Sequence, residues 1–385
     1  KYLKILITVG IYPPDIGGPA SFVPKIAKLL TENNFDVTII CLTDKKIVDK
    51  EKFVVKRIIR RQNLLFRWVK TIFSIIRHGY NAEVIFVNGL PMESYIANIF
   101  LRKNLIRKVV GDWAWERGRN KGLIDESFDE FQSNSHNLHL EIAKFSRGWT
   151  ATKANMVITP SKHLSDVVNN WGVKRDKLKV IYNGTKISNT ETDAYDKSNN
   201  SSNTLNFITV GRLAPWKNID VIIESMNEIR KTIENFKLFI VGSGPLEKDL
   251  KNQTNKLGLD DKVIFTGQKT SEELKNYYKN SQIYIQASGY EGLPHVLLEA
   301  INYDLTLIST PVGGSNEVIE NGKNGWLIDL VNGVKPDPID LSKIIVDVIN
   351  SKDSRDEKMS NAKNLLNTKF DEEVNLLEYL KVFQQ

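Results

Sequence analysis

The chain alternates short apolar runs with longer helical patterns, and it does so twice. In the first half, KILITVG, DVTIICL, FVVKRII, AEVIFVNG, KVVGDWA, MVITPS and KVIYNG are rich in Val and Ile and read as buried strands. Helical segments such as SFVPKIAKLLTENN stand between them. This alternation predicts a parallel sheet with helices on both faces. A polar stretch, TKISNTETDAYDKSNNSSNT at 185–204, interrupts the pattern and reads as a linker or exposed loop. The pattern then restarts with FITVGRL, KLFIVG, KVIFTG, QIYIQAS, LTLIST and GWLIDL. Ile219, Ile222, Ile223, Met226 and Ile229 share one helical face. Thr270 and Glu273 have capping-box spacing. The predicted fold is α/β, with two Rossmann-like doubly wound domains at 1–184 and 205–370. The amphipathic helix at 371–385 is expected to pack back toward the first domain. Ligands of such sheets bind beyond the carboxyl ends of the strands, so a cleft between the domains is the expected site.

A length of 385 residues suits two cores, and 41% apolar with 26% charged residues suits a globular protein in water. One cysteine, Cys41, forms no internal disulfide, which points to a reducing compartment, expected to be the cytoplasm. No apolar run approaches the ~20 residues that span a bilayer. The opening KYLKILITVG is too short, and wrongly flanked, for a secretory signal. No initiator methionine precedes it, so the true start is expected upstream. The net charge of +7 is unevenly spread. Residues 1–184 hold 30 basic and 17 acidic side chains, a net +13; residues 185–385 hold 23 and 29, a net −6. A basic half points to an anionic surface or substrate, or to locally solvated charge.

The chemistry concentrates in the second half. In VGRLAPWKNID, Arg212 and Lys217 follow a strand. Two cations there suit a diphosphate; the alternative is a solvated pair. In VGSGPLEKDL, Gly242 and Gly244 either let the backbone approach a ligand or only make a tight strand-to-helix turn. In GYEGLPHVLLEA, Glu291 lies in a loop, Pro294 suits a helix start, and Glu299 falls inside an apolar helix. A carboxylate there needs hydrogen-bond donors, and sugar hydroxyls are such donors. PVGGSNEVI supplies another strand-to-helix turn at Gly313 and Gly314.

GRLAPWKNID, VGSGP, EGLPHVLLEA and TPVGGSNEVI, in this order, resemble the retaining nucleotide-sugar glycosyltransferases of family four, which have the GT-B fold. PPDIGGPA, VITPSKHLSD and VIYNGT extend the resemblance over essentially the whole chain. It implies that Arg212 and Lys217 hold the donor diphosphate and stabilise the leaving group. It implies that Glu291 contacts the donor sugar, that the amides of Gly292 and Leu293 meet sugar or phosphate oxygens, and that Glu299 binds ribose hydroxyls. The base is expected near Gly267 and Gln268, and Gly17 and Gly18 are expected to let the first loop approach the phosphates. The donor is expected to be a UDP- or GDP-sugar and the acceptor a glycan or lipid-linked glycan. The implied reaction belongs to cell-surface polysaccharide or glycoconjugate synthesis, with no cofactor, metal or nucleic acid.

The chain departs from the family at KVVGDWAWERGRN, where many members carry a histidine. Asp112 stands there as a candidate catalytic group, the alternative being a turn aspartate. Trp113, Trp115, Glu116, Arg117 and Arg119 in WAWERGRN are candidates for the acceptor region, although tryptophans also suit a core. Asp15 is a further acceptor candidate. His136, His139 and Glu141 lack the spacing of a helical zinc site. The stretch 56–79 mixes seven Lys/Arg with Phe, Trp, Ile and Leu. That fits a helix on an anionic membrane surface, or an ordinary domain helix with basic solvent residues. Two other readings remain: another GT-B enzyme, such as an epimerase, or a non-catalytic nucleotide-sugar-binding subunit. A phosphorylase would need a pyridoxal-phosphate lysine in a matching context, which is absent.

Overall fold

The computed structural model describes residues 3–45, 47, 49–187 and 204–384; most of the expected linker, 188–203, lies outside the described residues. The chain forms two compact units, each with its own parallel sheet. The first unit comprises Lys1–Asp112, Asn137–Ile181 and Val374–Gln385; the second comprises Trp113–His136 and Tyr182–Glu373. A helical excursion from the first half, 113–136, thus groups with the second unit. The last helix groups with the first.

In the first unit the strands are β1 (Lys4–Val9), β2 (Asp36–Thr43), β3 (Val54–Ile59), β4 (Val84–Val87), β5 (Asn104–Lys108), β6 (Met156–Thr159) and β7 (Leu178–Val180). They lie in the order β3-β2-β1-β4-β5-β6-β7, all parallel. The strands are legible because Ile5, Leu6, Ile7, Ile39, Ile40, Ile85 and Phe86 are fully enclosed between helix layers. One strand differs from expectation. KVVGDWA is not a strand: β5 is NLIRK, ending at Lys108, and Trp113 already opens a helix. The strand's end is disguised because Arg107 and Lys108 are buried. The Arg107 guanidinium donates to the Arg147 carbonyl (3.0 Å) and Thr150 Oγ1 (2.6 Å), which satisfies it inside the unit.

In the second unit β8 (Leu205–Val210), β9 (Phe236–Val241), β10 (Val263–Gly267), β11 (Ile283–Gln286), β12 (Thr306–Ser309) and β13 (Trp326–Leu327) lie in the order β10-β9-β8-β11-β12-β13. Ile219, Ile222, Ile223, Met226 and Ile229 all face its core. The Thr270–Glu273 capping box forms, with both reciprocal hydrogen bonds present. Strand order reverses between β8 and β11, so the loops leaving these two strands flank the topological switch point where doubly wound sheets bind ligands.

Candidate active site

The loop after β8 carries Arg212 and Lys217, and the loop after β11 carries Glu291. Close backbone packing shapes the first loop. Gly242, with φ of 140°, lies so near it that a Cβ would come within 1.9 Å of the Gly211 carbonyl oxygen. A Cβ on Gly244 would come within 2.4 Å of the Leu213 carbonyl oxygen. The close approach these glycines permit is therefore to the neighbouring loop, which they hold in place beneath exposed Arg212. A 3-10 turn, Pro215–Lys217, follows and ends on Asn218 in the left-handed region, φ 49°. The buried Asn218 amide donates to the carbonyls of Ala287 (2.7 Å) and Val334 (3.0 Å), pinning the turn to the end of β11. Asn218 carries no chemistry of its own, and its place beside Lys217 is the only sign of it in the sequence.

Lys217 Nζ donates to Glu291 Oε1 at 2.5 Å, and Ser288 Oγ donates to the same oxygen at 2.7 Å. Both members of this ion pair are mostly enclosed, which strengthens their attraction relative to a surface pair. Glu291 also offers its carbonyl to the amide of Gly314, and a Cβ at Gly314 would come within 2.2 Å of the Gly292 carbonyl oxygen. Gly292 and Leu293 are buried before the helix His295–Asn302. Glu299, in that helix, is half-buried and accepts a hydrogen bond from the Tyr278 hydroxyl (2.9 Å). Gly267, with φ of 69°, ends β10, and exposed Gln268 follows it.

The excursion 113–136 contributes to the same unit. Trp115 is buried, with ring centroids 5.5 Å from Trp216, 5.5 Å from Tyr290 and 5.6 Å from Phe128. It is a core residue. Trp113 and Arg117 are exposed on the same helix, Trp113–Asn120. Half-buried Glu116 feels Lys217, Arg212 and Glu291 electrostatically; burial pushes its carboxyl above the usual range, and the two cations oppose this. In the sequence Glu116 stands only as one of the WAWERGRN candidates for the acceptor region, with nothing to connect it to Lys217 or Glu291. Its signal, a carboxylate directly after a core tryptophan, is visible only once Trp115 is seen against Trp216. Beside the Pro215–Lys217 turn a cavity of about 500 Å3 is lined by Arg119, Asp125, Asn218, Asp220, Asp249 and Lys335 among others; Arg212, Lys217, Glu291 and Glu299 do not line it.

Asp112, Asp15, Gly17 and Gly18 lie in the first unit. Asp112 is completely buried and forms an ion pair with Arg147, itself buried, whose guanidinium stands 4.5 Å from the Trp171 ring centroid. Its carboxylate is an internal counter-ion rather than a group open to substrate. Asp15 pairs with Arg60 at 2.5 Å, and Arg60 also holds Asp44 at 2.7 Å. Gly17 precedes and Gly18 opens the first helix. His136 pairs with Glu126 and packs on Phe131. Among the described residues no group of three or more His, Cys, Asp or Glu could hold a metal ion.

Comparison with known proteins follows the two halves. The family description "Glycosyltransferase Family 4" matches residues 16–189 and "Glycosyl transferases group 1" matches residues 191–365. "Uncharacterized glycosyltransferase MJ1069" of Methanocaldococcus jannaschii is 26% identical, with 100% of this chain and 99% of that protein covered. A Campylobacter jejuni alpha-1,4-N-acetyl-D-galactosaminyltransferase, named for a diphospho-undecaprenol-linked GalNAc substrate, is 30% identical over 49% of each chain. Among solved structures, Anabaena Alr3699/HepE in complex with UDP and glucose superposes with a TM-score of 0.79 at 18% identity, covering 100% of both chains. A sucrose-phosphate synthase from Thermosynechococcus elongatus superposes with a TM-score of 0.79 at 19% identity, covering 100% of this chain and 98% of that one.

Proposed function

Because the chain belongs to the group 1, family 4-type glycosyltransferases and has their two-domain GT-B fold, we propose that it moves a sugar from a nucleotide diphosphate sugar to a glycan or lipid-linked acceptor, with retention of anomeric configuration. The observation that carries this reading is the meeting of Lys217 and Glu291 from the two loops at the switch point, with Arg212 on the same loop as Lys217. Arg212 and Lys217 bind the diphosphate. They stabilise the negative charge that grows on it as the anomeric C–O bond breaks, the task a divalent metal performs in other glycosyltransferases. Glu291, released from Lys217 or sharing it, accepts hydrogen bonds from hydroxyls of the transferred sugar. Glu299 accepts from the ribose. The acceptor hydroxyl forms the new bond on the face the phosphate leaves, and its proton passes to a phosphate oxygen, so no enzymic nucleophile is required. Asp112 supplies nothing in this reading.

The UDP complexes of the Anabaena neighbour and the lipid-linked substrate in the Campylobacter relative's name favour such partners. A second observation favours work at an anionic membrane surface. Of 56–79, only Leu64–Gly79 is helix; Lys56 and Arg57 lie in β3, Arg57 pairs with Asp49, and Arg60 is held by Asp15 and Asp44. The helix nevertheless exposes Leu65, Phe66, Val69 and Phe73 beside exposed Lys70 and Arg77. That is the pattern of a helix lying in an anionic interface. Among the described residues no helix is long and apolar enough to cross a membrane.

The test is a thermal-shift screen with UDP-, GDP- and ADP-sugars, followed by product analysis with the donor that binds. A donor at 100 times its dissociation constant stabilises the native state by about 2.7 kcal/mol. No shift with any nucleotide sugar would overturn the reading; a product of inverted configuration would overturn retention alone.

A further inference from the structure

Three dipeptides share one arrangement: Trp115-Glu116, Trp216-Lys217 and Tyr290-Glu291 each place a charged residue directly after a buried aromatic one. The three rings pack together. Trp115 lies 5.5 Å from both Trp216 and Tyr290, and Phe128, also from the excursion, stacks on Tyr290 at 3.8 Å and 12°. The helix Trp113–Asn120 packs against the turn Pro215–Lys217. An aromatic cluster of this kind fixes the backbone at three points and gathers the next side chain of each segment. Two of those side chains are the Lys217–Glu291 pair. The third is Glu116.

We propose that Glu116 is a third carboxylate of the sugar-binding site, which accepts hydrogen bonds from hydroxyls of a bound sugar beside the Arg212–Lys217 diphosphate pocket. The inference rests on the donor reading above. A diphosphate bound by Arg212 and Lys217 brings the first sugar ring next to these cations, and a half-buried carboxylate there has hydroxyls as its natural donors. The electrostatic setting agrees. Burial, with Glu291, raises the carboxyl's proton affinity, while Lys217 and Arg212 lower it and favour the ionised, accepting form. The hydroxyls belong either to the transferred sugar or to the acceptor, and the chemistry is the same.

The experiment compares full-length wild type, Glu116→Gln and Glu116→Asp for binding of UDP-glucose against UDP, and of GDP-mannose against GDP. It also compares slow hydrolysis of the bound donor without acceptor against transfer. Glu116→Gln is expected to weaken the sugar nucleotide at least about tenfold more than the free nucleotide, a loss of about 1.4 kcal/mol in sugar contacts. Glu116→Asp is expected to restore part of it. Loss in both hydrolysis and transfer assigns the hydroxyls to the transferred sugar; loss in transfer alone assigns them to the acceptor. The pH profile adds a readout. The Glu116-dependent part of the wild-type rate should fall as pH drops through a value above the ordinary carboxylate range, and Glu116→Gln should lack that limb. If wild type binds the sugar nucleotide and Glu116→Gln changes nucleotide and sugar nucleotide equally, or neither, with transfer unchanged, Glu116 is only a counter-charge or a bystander and the inference fails. If wild type binds the free nucleotides but no UDP-, GDP- or ADP-sugar of the screen above, or binds nothing, the donor reading fails first and takes the inference with it; if another sugar nucleotide binds, the comparison is made with that one.

Discussion

Removing the Asp112 carboxylate takes a counter-ion from Arg147 deep inside the first unit. Breaking one side of a buried ion pair typically costs about 3–5 kcal/mol, because the surviving charge stays desolvated. Asp112→Ala should therefore lower the denaturant midpoint strongly. The fraction that stays folded should keep its turnover per molecule. A stable variant with lost turnover would return Asp112 to the chemistry. Arg212 and Lys217 should behave in the opposite way. Arg212 is exposed, so alanine there costs little stability; Lys217 pairs with a mostly enclosed Glu291, so its loss costs some stability and turnover is read per folded molecule. Each should lower kcat by about 100-fold or more, the usual effect of losing one donor to a developing negative charge. Near-normal rates in both alanine variants would sink the diphosphate assignment. The candidacy of the cations and Glu291 was legible residue by residue, because they stand in short motifs at strand ends. The pairing of Asp112 was not legible because Arg147 lies far along the chain. Nothing local distinguishes a carboxylate that faces a ligand from one that faces a buried guanidinium.

The helix Leu64–Gly79 is the element whose sequence and structure agree on a face but not on its length. Its cap is Asn63, whose side chain accepts from the amides of Leu65 and Phe66. Thr71, Ile75 and Gly79 face inward, which leaves the row Leu65, Val69, Phe73 on the outside with Lys70 and Arg77 alongside. Phe66, Val69 and Phe73 are each more than 60% exposed, so replacing all three with serine should cost under about 0.5 kcal/mol per site. The triple variant should lose binding to vesicles containing phosphatidylglycerol at low salt, and wild-type binding should weaken as salt screens the cations. Unchanged vesicle binding would make the face an ordinary exposed one. Elements with a single strong local signal were readable: the Ile/Val strands, the Thr270 capping box, the helix of Ile219, Ile222 and Ile223. β5 was not, because its last two residues are a buried arginine and lysine that carry the letters of a surface. The excursion's allegiance was not readable either, since its anchors, Trp216 and Tyr290, lie far from Trp115 in sequence.

At the scale of the whole chain, continuity and compactness disagree. The backbone passes between the two units four times, at 112/113, 136/137, 181/182 and 373/374. The final helix, Glu372–Gln384, is the cleanest place to test what this means. Tyr379, Leu380, Val382 and Phe383 are buried in the first unit's core, with Phe383 edge-on to Phe86 at 5.2 Å and Tyr379 5.1 Å from Phe22. Burying one such side chain contributes about 1.5–3 kcal/mol, so four amount to roughly 6–12 kcal/mol. That is of the same size as the 5–15 kcal/mol that holds a typical domain together. Truncation after Glu373 should therefore unfold the first unit. The second unit keeps its own clusters around Ile222, Ile240 and Ile285, and around Leu297, Leu298 and Phe370. Hydrogen exchange on the truncated chain should show protection lost in β1–β7 and kept in β8–β12. The nucleotide that shifts the full chain should still slow exchange around Lys217 and Glu291. If both units lose protection together, the second unit depends on the first for its stability. If neither does, the C-terminal helix is a covering rather than a part of the core.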